Sequence, residues 1–202
     1  MSKKYNTIIF DLGNTLIRFD HNIAVKKLEK RFRIDRDKTY SLFFDSEITH
    51  LLETGRISPQ EFYRKATAMI GISLPYEEFI DVWNDIFWED EEACGLARQL
   101  KKSYKLVLLS NISPLHFEHI VKKFDIMRIF DEIVPSFKVG VMKPDEAIFR
   151  HAIKAAGGDA SKLFYTDDRE EFIKVAQKLG IDSVRFENAE HLKGELKTRG
   201  II

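Results

Sequence analysis

The chain has 202 residues, and 32 Lys+Arg balance 32 Asp+Glu for a formal net charge of +0. With no basic field to attract a polyanion, neither nucleic acid nor an anionic membrane surface is expected as a partner. The single cysteine, Cys94, excludes an intrachain disulfide and a cysteine-rich metal site; the length suits one core domain, with room for a smaller insertion.

Thr7, Ile8, Ile9 and Phe10 are β-branched or aromatic and free of charge, which predicts a strand buried on both faces. The run stops at Asp11 and soon meets the turn dipeptide Gly13-Asn14. An acid at the C-terminal tip of a central parallel strand lies where open α/β sheets hold their ligands. Because Asp11 interrupts it, the apolar run is too short for a signal peptide or a membrane span, and a cytoplasmic protein is expected.

A long region without strand patterning follows. Val25, Leu28 and Phe32 recur at helical period over 21–32, and Tyr40, Phe43, Phe44, Ile48, Leu51 and Leu52 predict a second helix over 37–53, ended by Gly55. Ser58-Pro59-Gln60-Glu61 is a capping box with proline at the first helical position, opening a third helix that runs to Gly71. Pro75 opens a fourth, with Phe79, Ile80, Trp83, Ile86 and Phe87 on one face. Four amphipathic helices with short connections predict a small antiparallel bundle.

Beyond it the pattern alternates. Helices are expected over 91–102, from Ser113-Pro114, over 145–156 and over 169–179, the last two closed by Gly157-Gly158 and Gly180. Between them lie strands at 105–110, 132–135, 163–166 and 182–185. Such alternation implies an α/β fold, a Rossmann-like parallel sheet with helices on both faces and an inserted four-helix bundle.

The strand ends carry compatible chemistry. Asp11 ends the first strand, Ser110-Asn111 the next and Asp167-Asp168 a later one, while Lys143 immediately precedes a helix. A hydroxyl beside backbone N–H groups at a helix start suits phosphate oxygens. Three carboxylates in one crevice repel one another unless a cation intervenes, and an oxygen-only donor set suits Mg²⁺. Carboxylate, hydroxyl, ammonium and Mg²⁺ together make a phosphoryl-transfer site.

Four motifs, in order, resemble those of the haloacid dehalogenase superfamily of hydrolases: Phe10-Asp11-Leu12-Gly13-Asn14-Thr15, Leu109-Ser110-Asn111, Gly140-Val141-Met142-Lys143-Pro144-Asp145 and Tyr165-Thr166-Asp167-Asp168. The resemblance implies that fold, with residues 1–17 and 90–202 as the core domain and 18–89 as a helical cap. It also implies site roles. Asp11 would be the nucleophile, Lys143 would neutralise it, and Thr15, Ser110 and Asn111 would hold the phosphate. Asp11, the Gly13 carbonyl and Asp168 would bind Mg²⁺, with Asp167 a second or water-mediated ligand.

Two positions depart from the family. Relatives that are phosphatases usually carry an aspartate two residues after the nucleophile, as acid and then base; here that residue is Gly13. General acid–base catalysis typically supplies about 10²–10⁴-fold, so leaving groups that depart without protonation are expected, unless Asp20 or His21 substitutes. A glycine at this turn can hold positive φ, which would strain an aspartate placed there by about 1 kcal/mol. Phe172 stands where relatives often have asparagine, which is expected to loosen the loop holding Asp168. The branch that dehalogenates has tyrosine at position 13 and lacks paired acids, so Asp167-Asp168 argues against that reaction.

Other conspicuous residues read as structural. Trp83, Trp88 and the phenylalanines are assigned to the insertion's core. His116, His119, His151 and His191 lie in helices without metal spacing, on the surface or partly buried, and Cys94 is a small buried residue. Arg18, Asp20 and His21 lie near the hinge and are candidates to touch substrate. Glu89-Asp90-Glu91-Glu92 is a solvated helix start favoured by the dipole. The expected activity is Mg²⁺-dependent hydrolysis of a small phosphorylated metabolite, a sugar phosphate, through an aspartyl phosphate. The alternative is a catalytically weakened binding or regulatory module.

Overall fold

The computed structural model describes residues 4–44 and 46–202. Five parallel strands form the central sheet: β1 (Thr7–Phe10), β4 (Lys105–Ser110), β5 (Glu132–Pro135), β6 (Leu163–Asp167) and β7 (Asp182–Arg185), in the order β5-β4-β1-β6-β7. β1 therefore lies at the centre, and Phe10 pairs with Leu108 on one side and Thr166 on the other. This register brings Asp11, Ser110 and Asp167 to one edge of the sheet. Crossovers diverge in opposite directions from β1, which makes that edge a topological switch point.

Side chains alternate across the sheet as the pleat requires. Ile8, Phe10, Leu106 and Leu108 pack on one face with Ala97 and Leu100 of α6 (Glu91–Lys101), Ile120 of α7 (Pro114–Lys123) and Leu192 and Leu196 of α11 (Ala189–Thr198). Ile9, Val107 and Leu109 pack on the other with Ile148 and Phe149 of α9 (Glu146–Ala156) and Ile173 of α10 (Glu170–Lys178). Helix α11, which holds the helical His191, was given no bounds by the sequence pattern. Asn188 caps it, accepting from His191 N at 2.8 Å, and the Leu192/Leu196 spacing is its one apolar signal.

The insertion differs from four helices. It contains α1 (His21–Arg31), α2 (Arg36–Phe44), α3 (Glu47–Glu53), α4 (Pro59–Ile70) and α5 (Tyr76–Asn84) among the described residues. The stretch 37–53 splits because Ser46 caps α3, its hydroxyl accepting from Thr49 N, while Thr49 Oγ1 bonds to Phe43 O at 2.7 Å. A polar side chain here offers the backbone an alternative to helix continuation. Asp45, within that stretch, and residues 1–3 of the expected core segment lie outside the described residues.

Helix α5 stops before Phe87, which instead belongs to β3 (Phe87–Glu89), antiparallel to β2 (Ile17–Phe19). This ribbon joins the insertion to the sheet, and Arg18 pins it by ion pairing with Asp90 at 2.8 Å. Trp88 lies on its outer side, 48% exposed, and is not a core residue. Trp83 is buried among Phe43, Phe62 and Phe79 in a separate apolar cluster of the insertion.

Candidate active site

Asp11, Lys143 and Asp167 form one buried ionic unit. The Lys143 ammonium lies 2.6 Å from Asp11 Oδ1, 2.6 Å from Asp167 Oδ2 and 3.2 Å from the Leu109 carbonyl. Its side chain has 1% exposure, so two carboxylates on one ammonium are the compensation such a buried charge requires. Asn111 fixes the lysine's backbone: Lys143 N donates to Asn111 Oδ1 at 2.8 Å, and Asn111 Nδ2 donates to Lys143 O at 2.9 Å. The Asn111 side chain is thereby engaged in positioning.

Asp167 and Asp168 differ in their partners. Asp167 accepts from Lys143, from the Tyr165 hydroxyl and, at 2.9 Å, from Arg169 N. Tyr165 was not among the expected site residues; its alternate-residue spacing from Asp167 within β6 was the available signal. Asp168 has no ion pair among the described residues and is half-buried. One carboxylate oxygen each from Asp11, Asp167 and Asp168 lie within 4.8 Å of one another.

The electrostatics of this trio ask for a cation. Burial, opposed by Lys143 and reinforced by Asp167, pushes the Asp11 carboxyl up to about 7. Burial and the adjacent Asp167 push Asp168 up to about 6. The Lys143 ammonium overcomes its own burial through Asp11 and Asp167, and its pKa is raised. Converging carboxylates that resist ionisation, in an all-oxygen donor set, fit a hard divalent ion such as Mg²⁺.

The phosphate-binding candidates lie alongside. Among the described residues, Thr15 Oγ1 is buried without a hydrogen-bond partner, and the Ser110 hydroxyl at the tip of β4 makes a long contact of 3.4 Å, to Asn111 O. A cavity of about 90 Å³ opens here, lined in part by Gly13, Ser110, Asn111, His21, His116 and Glu53. His116 is a correction: it is 7% exposed, stacks on Trp83 at 5.0 Å between centroids, and borders the cavity. Glu53, at the end of α3, was missed, because only the tertiary fold carries it to this edge.

The departures resolve differently. Asn14, not Gly13, holds positive φ, at 54°, so the backbone does not exclude a side chain at position 13. A Cβ there would instead meet Phe19 Cε1 at 3.0 Å. Phe172 packs within the site. It is buried, and its ring lies 5.0 Å from the Lys143 ammonium and 4.5 Å from the Arg169 guanidinium. Asp20 caps α1, accepting from Asn22 N at 2.9 Å, while His21 stacks on Phe44 at 3.6 Å. Burial pushes the Cys94 thiol up to about 12, consistent with an inert residue.

A family model described as haloacid dehalogenase-like hydrolase matches residues 5–180. The chain belongs to this family of hydrolase enzymes. It is 28% identical over 196 residues to the D-ribitol-5-phosphate phosphatase of Bacteroides thetaiotaomicron, covering 94% of this chain and 95% of that protein. It is 24% identical to the sesquiterpene phosphatase astK of Aspergillus oryzae, covering 90% and 89%. A crystal structure of a HAD family enzyme from Bacteroides thetaiotaomicron, in complex with magnesium and inorganic phosphate, matches with a TM-score of 0.83 at 26% identity, covering 93% of this chain and 98% of that one.

Proposed function

We propose that this chain is a Mg²⁺-dependent phosphomonoester hydrolase acting on a small phosphorylated metabolite, a sugar or polyol phosphate. Residues 18–89 would serve as its cap domain. The observation that carries this reading is Asp11: a buried carboxylate at the tip of the central strand, paired with Lys143 at 2.6 Å and within ligand reach of Asp167 and Asp168. The similarity to a ribitol phosphate phosphatase supports the substrate class.

In this mechanism Asp11 attacks phosphorus and displaces the leaving oxygen, forming an aspartyl phosphate that water then hydrolyses. Lys143 opposes the burial that raises Asp11 and orients the attacking carboxylate. Thr15 Oγ1, the Ser110 hydroxyl and the Asn111 N–H take the phosphoryl oxygens. Asp11, the Gly13 carbonyl and Asp168 would hold Mg²⁺, which supplies charge neutralisation of the phosphate. Asp167, already engaged by Lys143 and Tyr165, would orient that set from behind or through water.

A second substrate class is favoured by the cavity lining. Leu12, Ile17, Phe19, Phe87 and Ile112 give it an apolar wall, which suits the hydrocarbon tail of an alkyl or terpenoid phosphate. Turnover of p-nitrophenyl phosphate, acetyl phosphate, sugar and polyol phosphates and a prenyl phosphate, with Mg²⁺ and with chelator, tests both. Mg²⁺-dependent release of phosphate from a sugar or polyol phosphate is expected. A preference for the prenyl phosphate would select the second class, and no turnover of any substrate would overturn the phosphatase reading.

A further inference from the structure

Gly13 leaves the site without a side chain where related phosphatases place their acid, yet the fold brings an acidic residue to the same cavity from elsewhere. Glu53 is the last residue of α3 and lines that cavity together with Gly13, Ser110 and Asn111. Its backbone is tied to the floor of the site through one hydroxyl. Ser136 Oγ donates to Glu53 O at 2.6 Å and accepts from Ile112 N at 3.0 Å, directly after the Ser110-Asn111 pair. Two residues on, Gly55 (φ +68) lies so close to the short helix α8 (Ser136–Val139) that a Cβ would sit 2.3 Å from Phe137 O.

Stability does not explain this carboxyl. No hydrogen bond or ion pair engages it among the described residues, and it stands at a helix C-terminus, where the dipole disfavours a negative charge. Desolvation alone pushes it up to about 7, so near neutral pH it retains a proton to give. The other titratable groups near it in the cavity do not. Burial pushes His21 down to about 4 and His116 to about 3, and both imidazoles are neutral. Asp20 is held below its usual range by its two bonds to Asn22 and is occupied as a helix cap.

We propose that Glu53 is the general acid and base of this site, supplied by the insertion in place of the side chain absent at Gly13. The proposal rests on the phosphatase reading above. As Asp11 bonds to phosphorus, the bond from phosphorus to the leaving oxygen breaks, and the Glu53 carboxyl proton passes to that oxygen. The resulting carboxylate then takes a proton from the water that attacks the aspartyl phosphate. Phosphate departs, and Asp11 and Glu53 return to their starting forms.

The test is kcat/KM for a simple alkyl monoester, glycerol 3-phosphate, against p-nitrophenyl phosphate, whose leaving group needs no proton. The native enzyme, Glu53→Gln, Glu53→Asp and Asp20→Asn are compared at saturating Mg²⁺, with the fold of each checked by melting. Glu53→Gln should lose about 10²–10⁴-fold on the alkyl ester and less than about tenfold on the aryl ester, while Glu53→Asp recovers part of the loss. Asp20→Asn should leave the ratio of the two esters unchanged. Equal losses on both esters in Glu53→Gln, or a selective loss in Asp20→Asn instead, would overturn the assignment. A native enzyme inert toward both esters would instead refute the phosphatase reading on which it rests.

Discussion

At the residue scale, the two acids that end β6 have separable tasks because their partners differ. Asp167→Asn removes one of two carboxylates from the buried Lys143, whose charge is then half-compensated. A loss of about 3 kcal/mol is expected, roughly 6–12 °C in Tm, read by thermal melting. Asp168→Asn should barely change Tm without metal yet weaken Mg²⁺ binding more than Asp167→Asn does, as read by titration calorimetry. The reverse order of Mg²⁺ affinities would mean Asp167 is the direct ligand. Asp11→Asn should abolish turnover and leave the fold intact, since an amide of the same shape cannot attack phosphorus usefully; full retention of activity would exclude Asp11 as nucleophile. Glu53 adds a pH signature. Its folded pKa, near 7, exceeds the ordinary value of 4.5, so the folded protein holds a proton that the unfolded chain has released. Stability therefore falls as pH rises from about 4.5 through 7 and stays reduced above. Glu53→Gln should match the native Tm within about a degree at pH 4.5 and exceed it by a few degrees at pH 8.

At the scale of elements, the end of α3 and the turn after β1 differ in how well they tolerate an added methyl group. Gly55 combines a left-handed backbone with a carbonyl 2.3 Å from where Cβ would sit. Gly55→Ala should cost at least about 1–2 kcal/mol, or roughly 2–8 °C in Tm. It should also lower kcat/KM toward alkyl phosphates, because α3 carries Glu53. At Gly13 the backbone is permissive, and only the Phe19 ring, 3.0 Å away, must give. Gly13→Ala should therefore cost less than Gly55→Ala, as read by thermal melting. A Gly13→Ala variant that melts below Gly55→Ala would mean the Phe19 ring cannot move. The end of α3 meets the core at α8, where the Ser136 hydroxyl donates to Glu53 O at 2.6 Å.

For the whole molecule, the cost of assembling three carboxylates is the reason metal and fold are coupled. Any ion that binds the folded form alone raises stability by about 2.7 kcal/mol at a hundred times its Kd, which corresponds to roughly 5–11 °C in Tm at this size. Addition of Mg²⁺ should raise Tm by that order in the native enzyme and by much less in Asp168→Asn, as measured by calorimetry. An equal shift in both would place the ion elsewhere. The cavity, at about 90 Å³, is smaller than the roughly 300–1,000 Å³ typical of ligand pockets.

Local pattern alone determined the sheet, the place of Asp11 at its edge, and the order of the four motifs. A buried strand must be continuously apolar, and a polar residue that interrupts it marks the strand's end. Lys143 and the paired acids were legible for the same reason, since charge beside an apolar run has few places to go. Only tertiary structure decided the rest. The break at Ser46 hangs on one hydroxyl finding one amide, and the β2–β3 ribbon joins residues 72 apart in the Arg18–Asp90 pair. Trp83 and Trp88 carry the same side chain five residues apart, yet one is buried and the other lies on the ribbon's outer face. Glu53 reads in sequence as an ordinary charged residue near a helix end. It becomes a candidate acid only because Gly55 lets α3 press against α8, which brings Glu53 to the cavity that Gly13 also lines. Burial and pairing depend on which distant segments meet, and no local pattern encodes that.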